Sequence, residues 1–166
     1  IERRNMLSSR AKKYKVNLFY NNLVGGQDEL VFDGGSMAFD KTGRLVSSLN
    51  QFVTETLECE FDLTSGKLSG KKSSSPLSQE EEIYSALVLG TKDYIVKNNF
   101  KKVVIGLSGG IDSSLVATIA VDAIGRKNVI GVSMPSRFTS EETISYTKEL
   151  VKNLGIKIFE IPIEHI

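Results

Sequence analysis

KVVIGLSGGIDSSLVATIAVDAIG, residues 102–125, passes from a continuous apolar run through a glycine–serine turn into a helical pattern. An uninterrupted apolar run such as KVVIGL predicts a strand of a parallel sheet covered on both faces. After the turn, Leu115, Val116, Ile119, Ala120, Ala123 and Ile124 recur on one helical face, and Gly125 is the stop signal. NVIGVS (128–133) reads as a second strand. Thr139 with Glu142 reads as the cap of a second helix ending at Gly155, and IKIFEIPI (156–163) as a third strand. Strand–helix–strand–helix–strand at these lengths is the α/β, doubly wound parallel pattern. Such folds bind ligands at the carboxyl ends of their strands. GLSGGIDSS (106–114) and SMPSRFTSEE (133–142) both fall at such ends, so two loops are expected to converge on one site.

Working toward the amino terminus, Ser78 followed by Glu81 is a capping box. Ile83, Leu87, Gly90 and Tyr94 then share a helical face up to Asn98 and Asn99. Residues 64–78, TSGKLSGKKSSSPLS, are rich in Ser, Gly and Lys and read as a linker. Before it the periodicity is that of strands. VNLFYNN (16–22) and ELVFDGGSMAFDKTGRLVSSL (29–49) carry short apolar runs separated by Asp33-Gly34-Gly35 and Asp40-Lys41-Thr42-Gly43, which predicts antiparallel hairpins. In FVTETLECEF (52–61), Val53, Leu57, Cys59 and Phe61 alternate with polar residues, as in a half-buried strand. Residues 1–14 are basic with a helical pattern. The expected division is 1–63, a linker at 64–78, and 79–166.

The chain has 166 residues, 40% hydrophobic and 25% charged, ordinary for a soluble globular protein. Its net charge of +1 offers no overall attraction to nucleic acid or an anionic membrane. No apolar run approaches the roughly 20 residues of a membrane span, and the charged start IERRNMLSSRAKKYK lacks the apolar core of a signal peptide. One cysteine excludes an internal disulfide and is neutral-to-favourable for a reducing compartment; a cytoplasmic setting is expected. Without an initiator methionine, and ending at FEIPIEHI just after a strand-like run, the chain is expected to be cut from something longer.

Gly106 to Ser114 carries the chemistry. A Walker A loop ends in Gly-Lys-Ser/Thr, and no lysine is present here. Gly109 and Gly110 permit positive φ, so successive N–H groups can turn toward one anion. The following helix adds its dipole and unpaired donors, and Ser108, Ser113 and Ser114 add hydroxyls. Asp112 would repel a phosphate unless a cation intervened. Mg²⁺ shared between Asp112 and phosphate oxygens resolves that conflict. The alternative is a tight strand–helix turn with Asp112 as its N-cap.

Ser108-Gly109-Gly110-Ile111-Asp112-Ser113 resembles the SGG-x-DS motif of the N-type ATP pyrophosphatases. The wider stretch YSALVLGTKDYIVKNNFKKVVIGLSGGIDSSLVATIAVDAIG (84–125) with VSMPSRFTSEET (132–143) resembles the glutamine-dependent NAD⁺ synthetases. NLVGGQDELVFDGGSMAFD (22–40) is similar to the end of that family's nitrilase-like glutaminase domain. The resemblance implies an adenine nucleotide alpha hydrolase-like fold for the carboxyl-terminal part. For the amino-terminal part it implies the β-rich end of a nitrilase-like α-β-β-α sandwich.

The implied activity is a ligase that amidates nicotinic acid adenine dinucleotide to NAD⁺. ATP gives an adenylate and pyrophosphate, and ammonia comes from glutamine. The implied ATP-binding residues are Gly106, Leu107, Ser108, Gly109, Gly110, Ile111, Asp112 and Ser113 in the loop, with Ser133 and Met134 against the adenine. Asp112 matches the magnesium ligand. Arg137 is placed near the phosphates or is a solvated loop cation. A homo-oligomer is implied, with neither nucleic acid nor membrane as partner. Other ligases with this motif, of the GMP synthetase or tRNA-thiolation type, and an inactive nucleotide-binding fragment are the competing readings.

In the family the glutaminase cysteine, glutamate and lysine lie upstream of the matched segment, so no catalytic residue of that reaction is expected here. Cys59, on its alternating strand, reads as a small core hydrophobe. Residues 25–36 read as paired turns that hold a sheet. Asp28, Glu29 and Asp33 resemble a carboxylate cluster, but turn propensity accounts for Asp33. His165 has no second histidine to share a metal with and reads as an exposed loop residue.

Overall fold

A computed structural model describes residues 2–71 and 76–163 and separates the chain into two units, 1–86 and 87–166. His165 and residues 72–75 of the expected linker lie outside the described residues.

The first unit begins with helix α1 (Glu2–Tyr14) and continues through β1 (Leu18–Tyr20), β2 (Val24–Gln27), β3 (Leu30–Asp33), β4 (Met37–Phe39), β5 (Leu45–Ser48), β6 (Cys59–Phe61) and β7 (Leu68–Gly70). Strands β1, β4 and β5 form an antiparallel sheet in that order, and β2–β3 and β6–β7 pair as separate hairpins. The sheet's residues alternate between two cores, as a pleat requires. On one face Phe39 and Leu45 pack against Leu7 and Ala11 of α1, and on the other Ala38 and Val46 pack against Leu68. The β4–β5 turn forms where expected, closed by Gly43 N–H to the Asp40 carbonyl and by Asp40 Oδ1 accepting from Thr42 N.

Two expectations need correction here. Only Cys59–Phe61 of the alternating run 53–61 is a strand, because Phe52 takes positive φ and Val53 is exposed. Leu68–Gly70, inside the presumed linker, pairs with it, because Leu68 has a core to fill. The paired turns expected over residues 25–36 are formed: β2 and β3 join across a turn at Asp28-Glu29, where Asp28 takes the positive φ that aspartate tolerates.

Asp33 does more than favour a turn. Its carboxylate accepts two hydrogen bonds from the Arg3 guanidinium, one from Asn22 Nδ2 at 2.9 Å and one from Gln51 Nε2 at 3.0 Å. Four donors tie the helix, two loops and the β3 terminus to one anion. Burial alone would raise its pKa, yet the hydrogen bonds from Arg3 and then Gln51 outweigh it and hold the carboxyl below the usual range. A carboxylate depressed in the folded state stabilises above its unfolded pKa of about 3.9 and loses that contribution as pH falls through the folded value. Denaturation of the full-length protein between pH 6 and pH 2 should therefore show an acid-dependent loss of stability in this unit that Asp33→Asn reduces. An unchanged pH profile in that variant would contradict the role.

Helix α2 (Gln79–Lys97) spans the division between the units, and its capping box is formed: Ser78 N–H donates to Glu81 and Glu81 N–H to Ser78 Oγ. The second unit continues with β8 (Val103–Gly106), α3 (Ile111–Ile124), a short 3₁₀ turn, β9 (Val129–Ser133), α4 (Glu141–Leu154) and β10 (Lys157–Glu160). The three strands are parallel in the order β10–β9–β8. Both helices cover one face, where Leu107, Ala117, Ala120, Val129 and Ile156 form the core. Two crossovers that step the same way with the same hand must put their helices on one side.

The expected burial of both sheet faces is met on one only: Val104 is 67% exposed. In α3, Leu115 and Val116 face outward and Ala117 takes the core position. The face expected in α2 is also exposed at Ile83, Leu87 and Tyr94, while Ile95 is buried. The cap of α4 is Ser140, accepting from Thr143 N–H, whereas Thr139 accepts from Ser136 N–H in the preceding turn. No helix of the described residues is long and apolar enough to cross a membrane.

Candidate nucleotide site

Register in the parallel sheet sets Gly106 beside Val132, so the chain leaves β8 and β9 at the same sheet end. The loops 106–111 and 133–140 therefore start as neighbours, as expected. Met134 Cε lies 3.6 Å from where a Gly106 Cβ would be, so the missing side chain lets the methionine lie across the loop's root. Ser133 is buried, and its carbonyl accepts from Ile161 N–H at 2.9 Å. Leu107 points into the core, and its N–H donates to the Val132 carbonyl at 2.8 Å. Only its backbone is left to face a ligand.

The loop braces itself. Ser113 Oγ donates to the Gly110 carbonyl at 3.1 Å, lies 3.2 Å from Ser108 Oγ, and receives Ser108 N–H. Ser114 Oγ also donates to the Gly110 carbonyl, at 2.8 Å. The two glycines differ in conformation. Gly109 has φ +76°, the left-handed region, whereas Gly110 has φ −86° and serves as the N-cap of α3. Positive φ is thus required at one position, not both.

Asp112 is consequently not the N-cap. Gly110 holds that place and has no side chain to offer, so no side chain caps the first turn of α3. Such a turn presents unpaired N–H groups and a positive dipole end. Ile111 and Asp112 are exposed beside it, and no donor among the described residues pairs with the Asp112 carboxylate. An open helix start with an unpaired carboxylate fits an anion that brings a divalent cation. No group of three or more acidic, histidine or cysteine side chains gathers among the described residues.

Arg137 is exposed, with its guanidinium 4.9 Å from the centroid of the equally exposed Phe138 ring. Both stand on the turn closed by Thr139 N–H to the Ser136 carbonyl. Cys59 lies in the other unit, on the β6–β7 hairpin and partly buried, packed beside the core residue Leu68. A contact that sequence reasoning missed runs from the loop to α4. A Cβ on Gly109 would stand 2.4 Å from the Thr143 carbonyl oxygen.

Residues 83–166 match the family model for NAD synthase. The chain is 46% identical over 97% of its length to a glutamine-dependent NAD(+) synthetase of Synechocystis sp., and 44% identical over 97% to that of Thermotoga maritima. It spans only 29% and 34% of those relatives' lengths. The solved glutamine-dependent NAD⁺ synthetase of Acinetobacter baumannii, in complex with ADP, is 38% identical and superposes with a TM-score of 0.93. That match covers 98% of this chain and 31% of the other.

Proposed function

Because the chain belongs to the NAD synthase family, we propose that it is part of an enzyme that amidates nicotinic acid adenine dinucleotide to NAD⁺ at the expense of ATP and glutamine. The carrying observation is the uncapped start of α3 at the end of a parallel sheet, with Asp112 exposed beside it and unpaired among the described residues. A relative solved with ADP supports a nucleotide as the ligand.

In this reading the first-turn N–H groups of α3, with Ser108 and Ser113, hold the β- and γ-phosphates. Met134 and Ser133 lie toward the adenine, and Arg137 serves the phosphates or the adenylate. Asp112 would hold Mg²⁺, which neutralises charge on the departing pyrophosphate. The substrate carboxylate attacks the α-phosphorus, the α–β bridge breaks, and ammonia then displaces AMP from the adenylate. A loop that grips the leaving group, not the transferred group, suits that cleavage, because its dipoles are preset where charge develops.

Residues 1–63 are proposed as the carboxyl-terminal portion of a nitrilase-like glutaminase domain, 64–78 as the connection and 79–166 as the start of the synthetase domain. The whole is proposed to be cytoplasmic and homo-oligomeric. The test is product analysis with the full-length protein, ATP, Mg²⁺, glutamine and nicotinic acid adenine dinucleotide. AMP, pyrophosphate and NAD⁺ should form in equal amounts; ADP and phosphate instead would contradict the reading. Cys59→Ala should leave glutamine hydrolysis in the same assay unchanged, since its sulfur is a packing group, and abolished ammonia release would reverse that assignment.

A further inference from the structure

The second loop leads directly into α4, and α4 presses on the first loop at Gly109. Thr143 and Thr147 make that contact. A Cβ on Gly109 would meet the Thr143 carbonyl oxygen at 2.4 Å, Thr143 Cγ2 at 2.8 Å and Thr147 Oγ1 at 3.1 Å. Thr147 is 3% exposed, and its hydroxyl donates back to that same carbonyl at 3.1 Å. Thr143 is held from the other side. Its N–H donates to Ser140 Oγ, and the two hydroxyls lie 2.8 Å apart. An unbroken series of contacts thus runs from the cap of α4, through Thr143, to the one loop residue in the left-handed conformation.

Resting on the reading that residues 106–114 hold the ATP phosphates, we infer that Thr143 and Thr147 are positioning residues. They hold Gly109 at positive φ and so aim the N–H groups that follow it. Neither touches the nucleotide. The backbone hydrogen bonding of α4 aligns the Thr143 carbonyl, the Thr147 hydroxyl adds a second donor to it, and the methyl of Thr143, pinned by the Ser140 cap, closes the remaining space against Gly109. Because Ser140 ends the 133–140 loop, a shift of that loop reaches the phosphate loop through these two side chains. A packed contact this tight transmits displacement in place of absorbing it.

The test is steady-state kinetics of the full-length enzyme with ATP varied, for Thr147→Val, Thr147→Ser, Thr143→Ser and Ser108→Ala, with thermal unfolding of each. Thr147→Val keeps shape and loses the hydroxyl, so the KM for ATP should rise about three- to tenfold, the effect of one lost hydrogen bond. The KM for glutamine should stay constant. Thr147→Ser restores the hydroxyl and should return the KM for ATP to within about twofold of wild type. Thr143→Ser keeps the hydroxyl that faces Ser140 and removes the methyl, and should raise it about threefold. If Ser108→Ala raises the KM for ATP while Thr147→Val and Thr143→Ser leave it unchanged, the coupling is wrong and the phosphate site stands. Failure of Thr147→Ser to rescue would reduce Thr147 to a packing group and also overturn the inference. An unchanged KM for ATP in Ser108→Ala would overturn the phosphate site and the coupling together.

Discussion

Asp112→Asn in the full-length enzyme should lower kcat for NAD⁺ formation by at least a hundredfold while the protein remains folded. The substitution preserves side-chain shape and removes a negative charge that no protein donor pairs with among the described residues. It breaks no hydrogen bond, and the N-cap of α3 is Gly110, so helix capping is untouched. What it removes is the charge proposed to hold Mg²⁺ against the phosphates. Loss of a direct metal ligand removes several kcal/mol of transition-state stabilisation, and about 3 kcal/mol corresponds to roughly a hundredfold in rate. Raised magnesium should recover part of the rate. Wild-type turnover at limiting magnesium would reduce Asp112 to a surface charge.

Two adjacent glycines should fail in opposite ways. Gly109→Ala puts a methyl 2.4 Å from a backbone oxygen at φ +76°, and no rotamer of a neighbour relieves a clash with backbone. Overpacking and the left-handed penalty together should destabilise the second unit by about 3 kcal/mol, read from denaturant unfolding of the full-length protein. The Cβ of Gly110→Val meets no remote atom closer than Ser108 Oγ at 3.5 Å, at a φ any residue adopts. As an N-cap it should lose about 1 kcal/mol or less. Its branched side chain instead fills the space before the first turn of α3, where the phosphates are proposed to sit. Two displaced charge-assisted hydrogen bonds weaken ATP binding by about a hundredfold. Equal stability of the two variants would contradict the steric account of Gly109.

The difference between these neighbours marks what a sequence can reveal. The strand, loop and helix of 102–125 were legible because each signal is local: an apolar run, glycines, then period 3.6. Which glycine needs positive φ was not, because the answer lies with Thr143, remote in sequence, pressing on Gly109. The face of α3 holds at Ile119, Ala120, Ala123 and Ile124 and fails only at Leu115 and Val116, for a related reason. IDSSLVATIAVDAI is apolar nearly all round, so periodicity hardly chooses between Val116 and Ala117, and packing against the sheet decides. The cap of α4 slipped from Thr139 to Ser140 because adjacent Thr and Ser are both good caps. Asp33 in turn carried a turn signal strong enough to hide its ion pair with Arg3, which only the packing of α1 brings near.

Calorimetric titration of ATP with Mg²⁺ into the full-length protein and its Gly110→Val variant tests most directly whether the phosphates are held at the start of α3. Wild type should bind, with an affinity that falls when magnesium is withdrawn, and the folded variant should bind about a hundredfold more weakly. Equal affinities for wild type and the folded variant would mean that the phosphates lie elsewhere and that residues 106–114 form only a turn.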